Sequence, residues 1–277
     1  MVNLLIGFGV PNWAWDIFAL LLTFLAILIL IRINDMLRKR EIIPIFVSRK
    51  VIHIFAAPIF LVCWLLFSGD YFSRYFAAVV PLLFVLLFIA IGTGLMKNEE
   101  FVNTMSREGD PKELLKGTLF YALIMVFASI FLWYVPVDAT LQPTWIVFVP
   151  TAILIFGPLA GGDGFADLIG RRYGKRKFHI FADKSIIGTI SMFIFSLLFT
   201  LGLLFVFWLA LDPLYASVNV TALIIPIVVV TLVSTIIELF SPRNMDNLLI
   251  PIFTMIVILA LAWFGLFTYT IWHIGPL

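Results

Sequence analysis

Residues 185–210, SIIGTISMFIFSLLFTLGLLFVFWLA, decide the fold class because they contain no charged residue. An apolar run of about 18 or more residues indicates a helix that spans a membrane. The whole chain has a similar character, since 63% of its 277 residues are hydrophobic and only 12% are charged. Soluble domains average about 45–50% apolar and about 25% charged residues. The sequence therefore predicts an integral membrane protein and excludes a soluble globular domain.

Further apolar runs lie on both sides of this one and are separated by charged breaks. They predict an all-α, polytopic membrane protein with about eight transmembrane helices in a single domain, residues 1–277. The predicted spans are 13–33, 50–67, 74–95, 117–135, 144–162, 185–210, 220–240 and 248–272.

The basic residues predict an orientation in the membrane. Of the 18 Lys and Arg residues, all except Arg74 lie in or beside the connections that follow spans 1, 3, 5 and 7. Connections rich in Lys and Arg usually face the cytoplasm. We therefore expect these four connections to be cytoplasmic and both termini to be non-cytoplasmic. Most acidic residues lie on the same side, so one face is expected to carry nearly all the polar chemistry.

The segment just before the opening run, GPLAGGDGFADLIGRRYGKRKFHIFADKS at 157–185, combines acids, bases and glycines. If span 5 continues here as a helix, Asp163, Asp167 and Arg171 share one face because they are four residues apart. Mg²⁺ is commonly held by one or two carboxylates together with substrate phosphates. Nearby bases neutralise phosphate charge, and glycines permit a tight turn or the close approach of a phosphate. The P-loop pattern GxxxxGK[ST] is absent.

A purely structural interpretation of these residues stays open. A surface ion pair between Asp167 and Arg171 explains their spacing equally well, and the bases up to Lys177 would serve as an interfacial anchor. The other connections leave the same choice. Arg49 and His53 share a helix face and are either site residues or have structural roles, Arg49 as an interfacial anchor and His53 as a core histidine. Asp246 is either a metal ligand or the cap of the last helix.

Five stretches resemble the membrane CTP-dependent polyisoprenoid-alcohol kinases, the family of phytol, farnesol and dolichol kinases. The most specific is GDGFADLIGRRYG at 162–174, and together the stretches cover about residues 49–251. The others are DKSIIGTISMFIF (183–195), TMSREGDPKELLKGTLFY (104–121), RKVIH (49–53) and ELFSPRNMDNLLIP (238–251).

The resemblance implies transfer of the γ-phosphate of CTP to the hydroxyl of a membrane isoprenoid alcohol such as phytol, geranylgeraniol or dolichol, with Mg²⁺, at the cytoplasmic face. By position it implies that the catalytic residues are Asp163, Asp167 and His53. The sequence does not identify the proton acceptor, for which Asp163 is the first choice and His53 the second. The implied nucleotide contacts are Gly162, Gly164, Arg171, Arg172, Lys175, Lys184, Asn247, Arg49, Lys50 and Arg107. The implied metal ligands are Asp163, Asp167, Glu238 and Asp246, and the implied supporting residues are Ser106 and Asp110. No nucleic-acid partner is expected, and a homo-oligomer is compatible with the sequence.

Two other functions stay open. An enzyme of the phosphatidate cytidylyltransferase type also uses CTP at a membrane, but it releases pyrophosphate and makes a CDP-lipid. A transporter usually carries its polar groups near mid-membrane between repeated halves. Here the acids cluster at one end of the spans and no internal repeat is evident, so the kinase is the favoured prediction.

Overall fold

In the computed structural model of the protein, the residues described are 10–106, 109–132, 151–179, 183–210, 220–242 and 245–266. Within these ranges, eight helical spans are long and apolar enough to cross a membrane, which confirms the predicted all-α, polytopic fold. The sidedness of the termini stays a prediction. The helices are α1 (Asn12–Lys39), α2 (Ile45–Cys63), α3 (Ser73–Gly92), α4 (Glu99–Met105), α5 (Gly117–Phe131), α6 (Thr151–Phe156), α7 (Asp163–Tyr173), α8 (Ile186–Ala210), α9 (Val220–Phe240) and α10 (Asp246–Trp263).

Shorter elements complete the described chain. They are 3₁₀ turns at Trp64–Leu66 and Pro111–Leu115, a π-helical segment at Gly157–Gly162 that joins α6 to α7, and the strands β1 (Lys177–His179) and β2 (Asp183–Ser185). The strands form an antiparallel hairpin in which Lys177 pairs with Ser185. The sequence did not predict this hairpin, because a three-residue strand is too short to show the alternation by which strands are recognised.

The first span is longer than predicted and runs to Lys39 instead of residue 33. Its last turns carry polar side chains that are buried against other elements. Asn34 donates to the hydroxyl of Ser48 over 2.7 Å, and Asp35 accepts from the hydroxyl of Thr104 over 3.0 Å. These partners let α1 continue past its apolar run while its polar groups remain hydrogen-bonded.

The fifth span also continues beyond its predicted end at residue 162. Its helical path passes through the π-helical segment and ends at Tyr173, so Asp163 lies inside a helix and not after one. In this span 78% of the most apolar window is buried, the highest share among the eight spans. The span is therefore central to the bundle. Residues 144–150 of its predicted range, and 267–272 of the predicted last span, lie outside the described residues.

Glycines let α8 lie directly against the π-helical segment. A Cβ on Gly157 would fall 2.0 Å from Oγ1 of Thr200, and a Cβ on Gly161 would fall 2.2 Å from the ring of Phe199. Small residues allow this close approach of helices in membranes. The segment is buried throughout, and α7 continues the contact with α8.

The four charged connections meet at one end of the bundle. Polar contacts between residues far apart in the chain join them to one another in pairs. These contacts are Lys39–Glu100, Arg49–Glu113, Lys50–Asp163, Lys184–Glu238 and Asn247–Gly117. The described polar residues of these connections therefore form one continuous region.

Candidate functional site

A buried carboxylate at the start of α7 forms the centre of this region. Asp163 is 3% exposed. Its Oδ2 lies 2.9 Å from Nζ of Lys50 and 3.1 Å from Nε2 of His53. The same Nζ lies 3.4 Å from Oδ2 of Asp167. One ammonium group therefore pairs with two carboxylates inside the bundle, where unpaired charge would be costly.

Helical spacing explains why these four side chains meet. Lys50 and His53 are three residues apart on α2, and Asp163 and Asp167 are four apart on α7, so each pair shares a helix face. The two faces approach closely because Gly164 lies against Ile54 of α2. A Cβ on Gly164 would fall 2.2 Å from Cγ1 of Ile54. The predicted common face of Asp163 and Asp167 is therefore observed.

The imidazole of His53 is held by groups on two other elements. Its Nε2 lies 2.8 Å from the carbonyl oxygen of Leu159, which only accepts hydrogen bonds, so Nε2 carries a proton. The ring of Tyr121 packs beside it at 4.5 Å between centroids. The hydroxyl of Tyr121 donates to the backbone carbonyl of His53 over 2.7 Å. In the neutral ring, Nδ1 is then the basic nitrogen.

A second ion pair lies beside this centre. Lys184, in β2, pairs with Glu238 near the end of α9. Glu238 is 4% exposed and also interacts electrostatically with Asp163 and Asp246. Asp246 is buried at the start of α10, where its Oδ1 accepts from the backbone N–H of Asn247 over 2.9 Å. The predicted acids of three different spans are thus close enough to affect one another.

Exposed bases lie at the C-terminal end of α7. Arg171 and Asp167 form the predicted ion pair, with 2.6 Å between Nε and Oδ1. Arg172 and Lys175 are exposed, and the guanidinium of Arg172 lies 5.4 Å from the ring centre of Tyr173. These side chains can reach a charged ligand from solvent. Their predicted contact with a nucleotide stays a prediction.

His53 also lines an apolar cavity. Its walls come from α1, α2, α3 and α5, with single residues from α4 and α10, and its volume with its open mouth is about 660 Å³. Arg49 and Asn247, both predicted to contact the nucleotide, line this cavity instead of the region of exposed bases. The sequence did not single out Thr118 and Tyr121, which also line it.

The structure brings two of the four predicted metal ligands, Asp163 and Asp167, to one common partner. Within the described residues, no group of three or more His, Cys, Asp and Glu side chains is arranged to hold a metal ion. Asp163 and Asp167 nevertheless converge on one point, the ammonium of Lys50. Mg²⁺ usually takes only one or two protein carboxylates and completes its shell with phosphate and water. The number and type of these two ligands fit such an ion, and Glu238 and Asp246 stay predicted ligands.

The remaining predicted site residues have observed structural roles. Gly162 packs against α8, where a Cβ would fall 2.2 Å from Oγ of Ser196. Ser106 accepts from the backbone N–H of Gly109 over 2.8 Å, and Asp110 accepts from that of Lys112 over 2.9 Å. Packing alone thus accounts for Gly162 and Gly164, and their contact with phosphate stays a prediction. Arg107 lies outside the described residues.

Comparison with known proteins finds plant relatives over most of the chain. The probable chloroplastic phytol kinase of Zea mays is 34% identical over 230 residues, which are 82% of this chain and 71% of that one. A probable phytol kinase 1 of Oryza sativa subsp. japonica is 34% identical over 243 residues, 87% and 71% of the two chains. Phytol kinase 1 of Arabidopsis thaliana is 33% identical over 224 residues, 80% and 68% of the two chains. No family model matches the chain. No solved structure matches it either.

Proposed function

Because the chain belongs to the phytol kinase family, we propose that it is a CTP-dependent kinase for a membrane isoprenoid alcohol. It transfers the γ-phosphate of CTP to the hydroxyl of phytol, geranylgeraniol or a dolichol-type polyprenol at the cytoplasmic face. The observation that carries the proposal is the buried cluster of Lys50, Asp163 and His53. This cluster connects an apolar cavity, lined by His53, with the helix that ends in exposed bases.

The donor side of the reaction is assigned to the bases after α7. A nucleoside triphosphate carries several negative charges, and phosphoryl transfer depends mainly on positioning and on neutralising that charge. Arg171, Arg172 and Lys175 are exposed on one short segment, and Lys184 lies beside the buried acids. Arginine suits phosphate because its planar guanidinium donates two parallel hydrogen bonds. The choice of CTP rests on the resemblance of residues 162–195 to CTP-using kinases.

Asp163 and Asp167 are the residues that would hold Mg²⁺. When bound, the ion would neutralise charge on the phosphates of the nucleotide donor. The ammonium of Lys50 already contacts both carboxylates, so it keeps them aligned on one point and compensates their charge. We assign Lys50 a positioning role at this pair.

His53 is the favoured proton acceptor. Asp163 is compensated by Lys50, which weakens it as a base, whereas Nδ1 is the nitrogen that carries no proton in the neutral ring of His53. In the transfer, the alcohol oxygen bonds to the γ-phosphorus and its proton passes to Nδ1. The bond from that phosphorus to the bridging oxygen breaks, and CDP leaves with the electron pair. The carboxylate of Asp163, 3.1 Å from Nε2, stabilises the resulting imidazolium.

The test uses the full chain in detergent with γ-labelled CTP, Mg²⁺ and a panel of membrane alcohols. We expect label in the organic phase as a lipid monophosphate and CDP in the aqueous phase, with ATP, GTP and UTP as weaker donors. Label released as pyrophosphate when phosphatidic acid is supplied would show that the protein is a cytidylyltransferase and not a kinase. Absence of lipid phosphate with every alcohol and every nucleotide would contradict both the kinase and the donor assignment.

A further inference from the structure

The apolar cavity has polar groups at only one of its ends. Thr118 and Asn247 lie in the first turns of α5 and α10, which begin at the charged end of the bundle. Met125, two turns further along α5, belongs to the apolar part of the wall. From Thr118 to Met125 the helix rises about 10 Å. The cavity therefore leads from the charged end into the interior of the membrane-spanning bundle.

Asn247 carries a buried oxygen that no described group satisfies. Its side chain is 5% exposed, and its Nδ2 donates to the carbonyl of Gly117 over 2.8 Å, which fixes the orientation of the amide. Its Oδ1 has no hydrogen-bond partner among the described residues, and neither has Oγ1 of Thr118. Buried polar atoms are nearly always hydrogen-bonded. Both residues line the cavity, so its polar end offers an acceptor and a hydroxyl to a ligand.

A nucleotide does not suit this cavity. Its wall is formed mainly by aliphatic and aromatic side chains, and Arg49, the basic residue among them, lies 3.6 Å from the carboxylate of Glu113. Arg49 and Lys50 are adjacent on α2 and face different neighbours, since Lys50 contacts Asp163 and Asp167. A ligand with one hydroxyl at the end of a long apolar chain matches both the wall and the unsatisfied oxygen.

We infer that this cavity binds the acceptor alcohol, with the isoprenoid chain between α1, α2, α3 and α5 and the hydroxyl donating to Oδ1 of Asn247. This inference rests on the proposed kinase function and adds the acceptor site to it. The hydroxyl of Thr118 donates to the alcohol oxygen. A hydroxyl hydrogen rotates to suit its partners. For the transfer, the hydroxyl hydrogen of the alcohol turns from Oδ1 of Asn247 towards Nδ1 of His53. Asn247 and Arg49 are thereby assigned to the acceptor side instead of the nucleotide side.

The experiment is photolabelling of the full chain in detergent with a C20 isoprenoid alcohol that carries a diazirine on its tail, without nucleotide. We expect label in peptides of α2, α3 and α5 that line the cavity, and at least a fivefold loss of label when an unmodified C20 alcohol competes. Ala122→Leu fills the cavity and should reduce labelling by a similar factor. Ala260→Leu makes the same change at an exposed alanine of α10 and should leave labelling unchanged.

The same two variants are then assayed for lipid phosphorylation. Ala122→Leu should raise the KM for the alcohol at least tenfold and leave the KM for CTP within about twofold. If this variant does not fold, Phe84→Ala, which enlarges the cavity, should shift the preference towards bulkier alcohols, with exposed Phe253→Ala as its control. Label distributed over lipid-facing residues, without competition, would overturn the acceptor site even if transfer is normal. If the unmodified alcohol competes with labelling of the cavity but no phosphate is transferred, the proposed kinase function is overturned and the alcohol-binding site is retained.

Discussion

Nζ of Lys50 lies 2.9 Å from Oδ2 of Asp163, although 113 residues separate the two in the chain. Both side chains are almost completely buried. Burying such a pair costs desolvation energy that its attraction only partly returns, so it is weak support for a purely stabilising role. Charged residues inside membrane-spanning bundles are typically functional. The pair therefore identifies the reaction centre more directly than the exposed bases do.

Asp163→Asn should abolish phosphoryl transfer while the protein remains folded. The amide has the size of the carboxylate, and Lys50 keeps Asp167 as a partner, so no buried ammonium is left without an acid. We expect kcat to fall by at least ~100-fold, the usual scale for loss of a central electrostatic group. Asp70→Asn, at an exposed acid between α2 and α3, is the control. Full activity with normal expression would remove Asp163 from the mechanism.

His53→Gln should lower kcat by ~10²–10⁴-fold, the contribution typical of a general base, with little change in the KM for CTP. Tyr121→Phe removes only the hydroxyl that supports the backbone of His53 and should have a smaller effect. A wild-type kcat in His53→Gln would assign the proton to another group.

The sequence could predict which residues share a helix face, but not which faces meet. Spacing alone predicted that Asp163 shares a helix face with Asp167, and Arg49 with His53, because helical periodicity is local. The contact of α2 with α7 depends on packing between segments more than a hundred residues apart. The ion pairs of Lys50 with Asp163 and Asp167 were consequently not predicted, and its contact with a nucleotide stays a prediction.

The sequence did not predict the residues around His53 and the apolar cavity, because they lie within apolar segments. Tyr121 and Thr118 lie in a span whose sequence resembles that of any transmembrane helix. Leu159 contacts His53 only through its backbone carbonyl. None of these signals its role through charge or spacing. Gly162 and Gly164 were predicted to contact phosphate, which stays a prediction, and the packing contacts that the structure shows for them were not predicted.

Gly164→Ala should separate α7 from α2 and destabilise the protein. The added Cβ would fall 2.2 Å from Cγ1 of Ile54, and overpacking of a core typically costs ~1–3 kcal/mol. Thermal unfolding in detergent should show the loss, and the second change Ile54→Ala should restore part of it. Gly202→Ala on α8 is the matched control, since a Cβ there meets nothing within 4 Å. It should be neutral or slightly stabilising, because alanine favours helix over glycine by ~1 kcal/mol. Equal stability of both variants would contradict the packing role.

The charged end of the bundle should face the cytoplasm. Within the described residues the only free cysteine is Cys63, which is buried, so single introduced cysteines can report sidedness in a Cys63→Ala background. A membrane-impermeant maleimide added to intact cells should label Asp70→Cys and not Lys175→Cys. Both positions are exposed. Permeabilised cells, in which both should react, provide the control, and the reversed pattern would invert the predicted orientation.

Paired substitutions at Lys184 and Glu238 should separate stability from nucleotide binding. Lys184→Gln leaves Glu238, which is 4% exposed, without its cation, and breaking a buried pair typically costs ~3–5 kcal/mol. The double variant Lys184→Gln/Glu238→Gln removes both charges and should unfold near the wild-type temperature, because neutral amides can hydrogen-bond to each other. The KM for CTP should nevertheless stay raised in the double variant, since the phosphates have lost a cation. If the KM returns to the wild-type value together with stability, Lys184 serves only to neutralise Glu238.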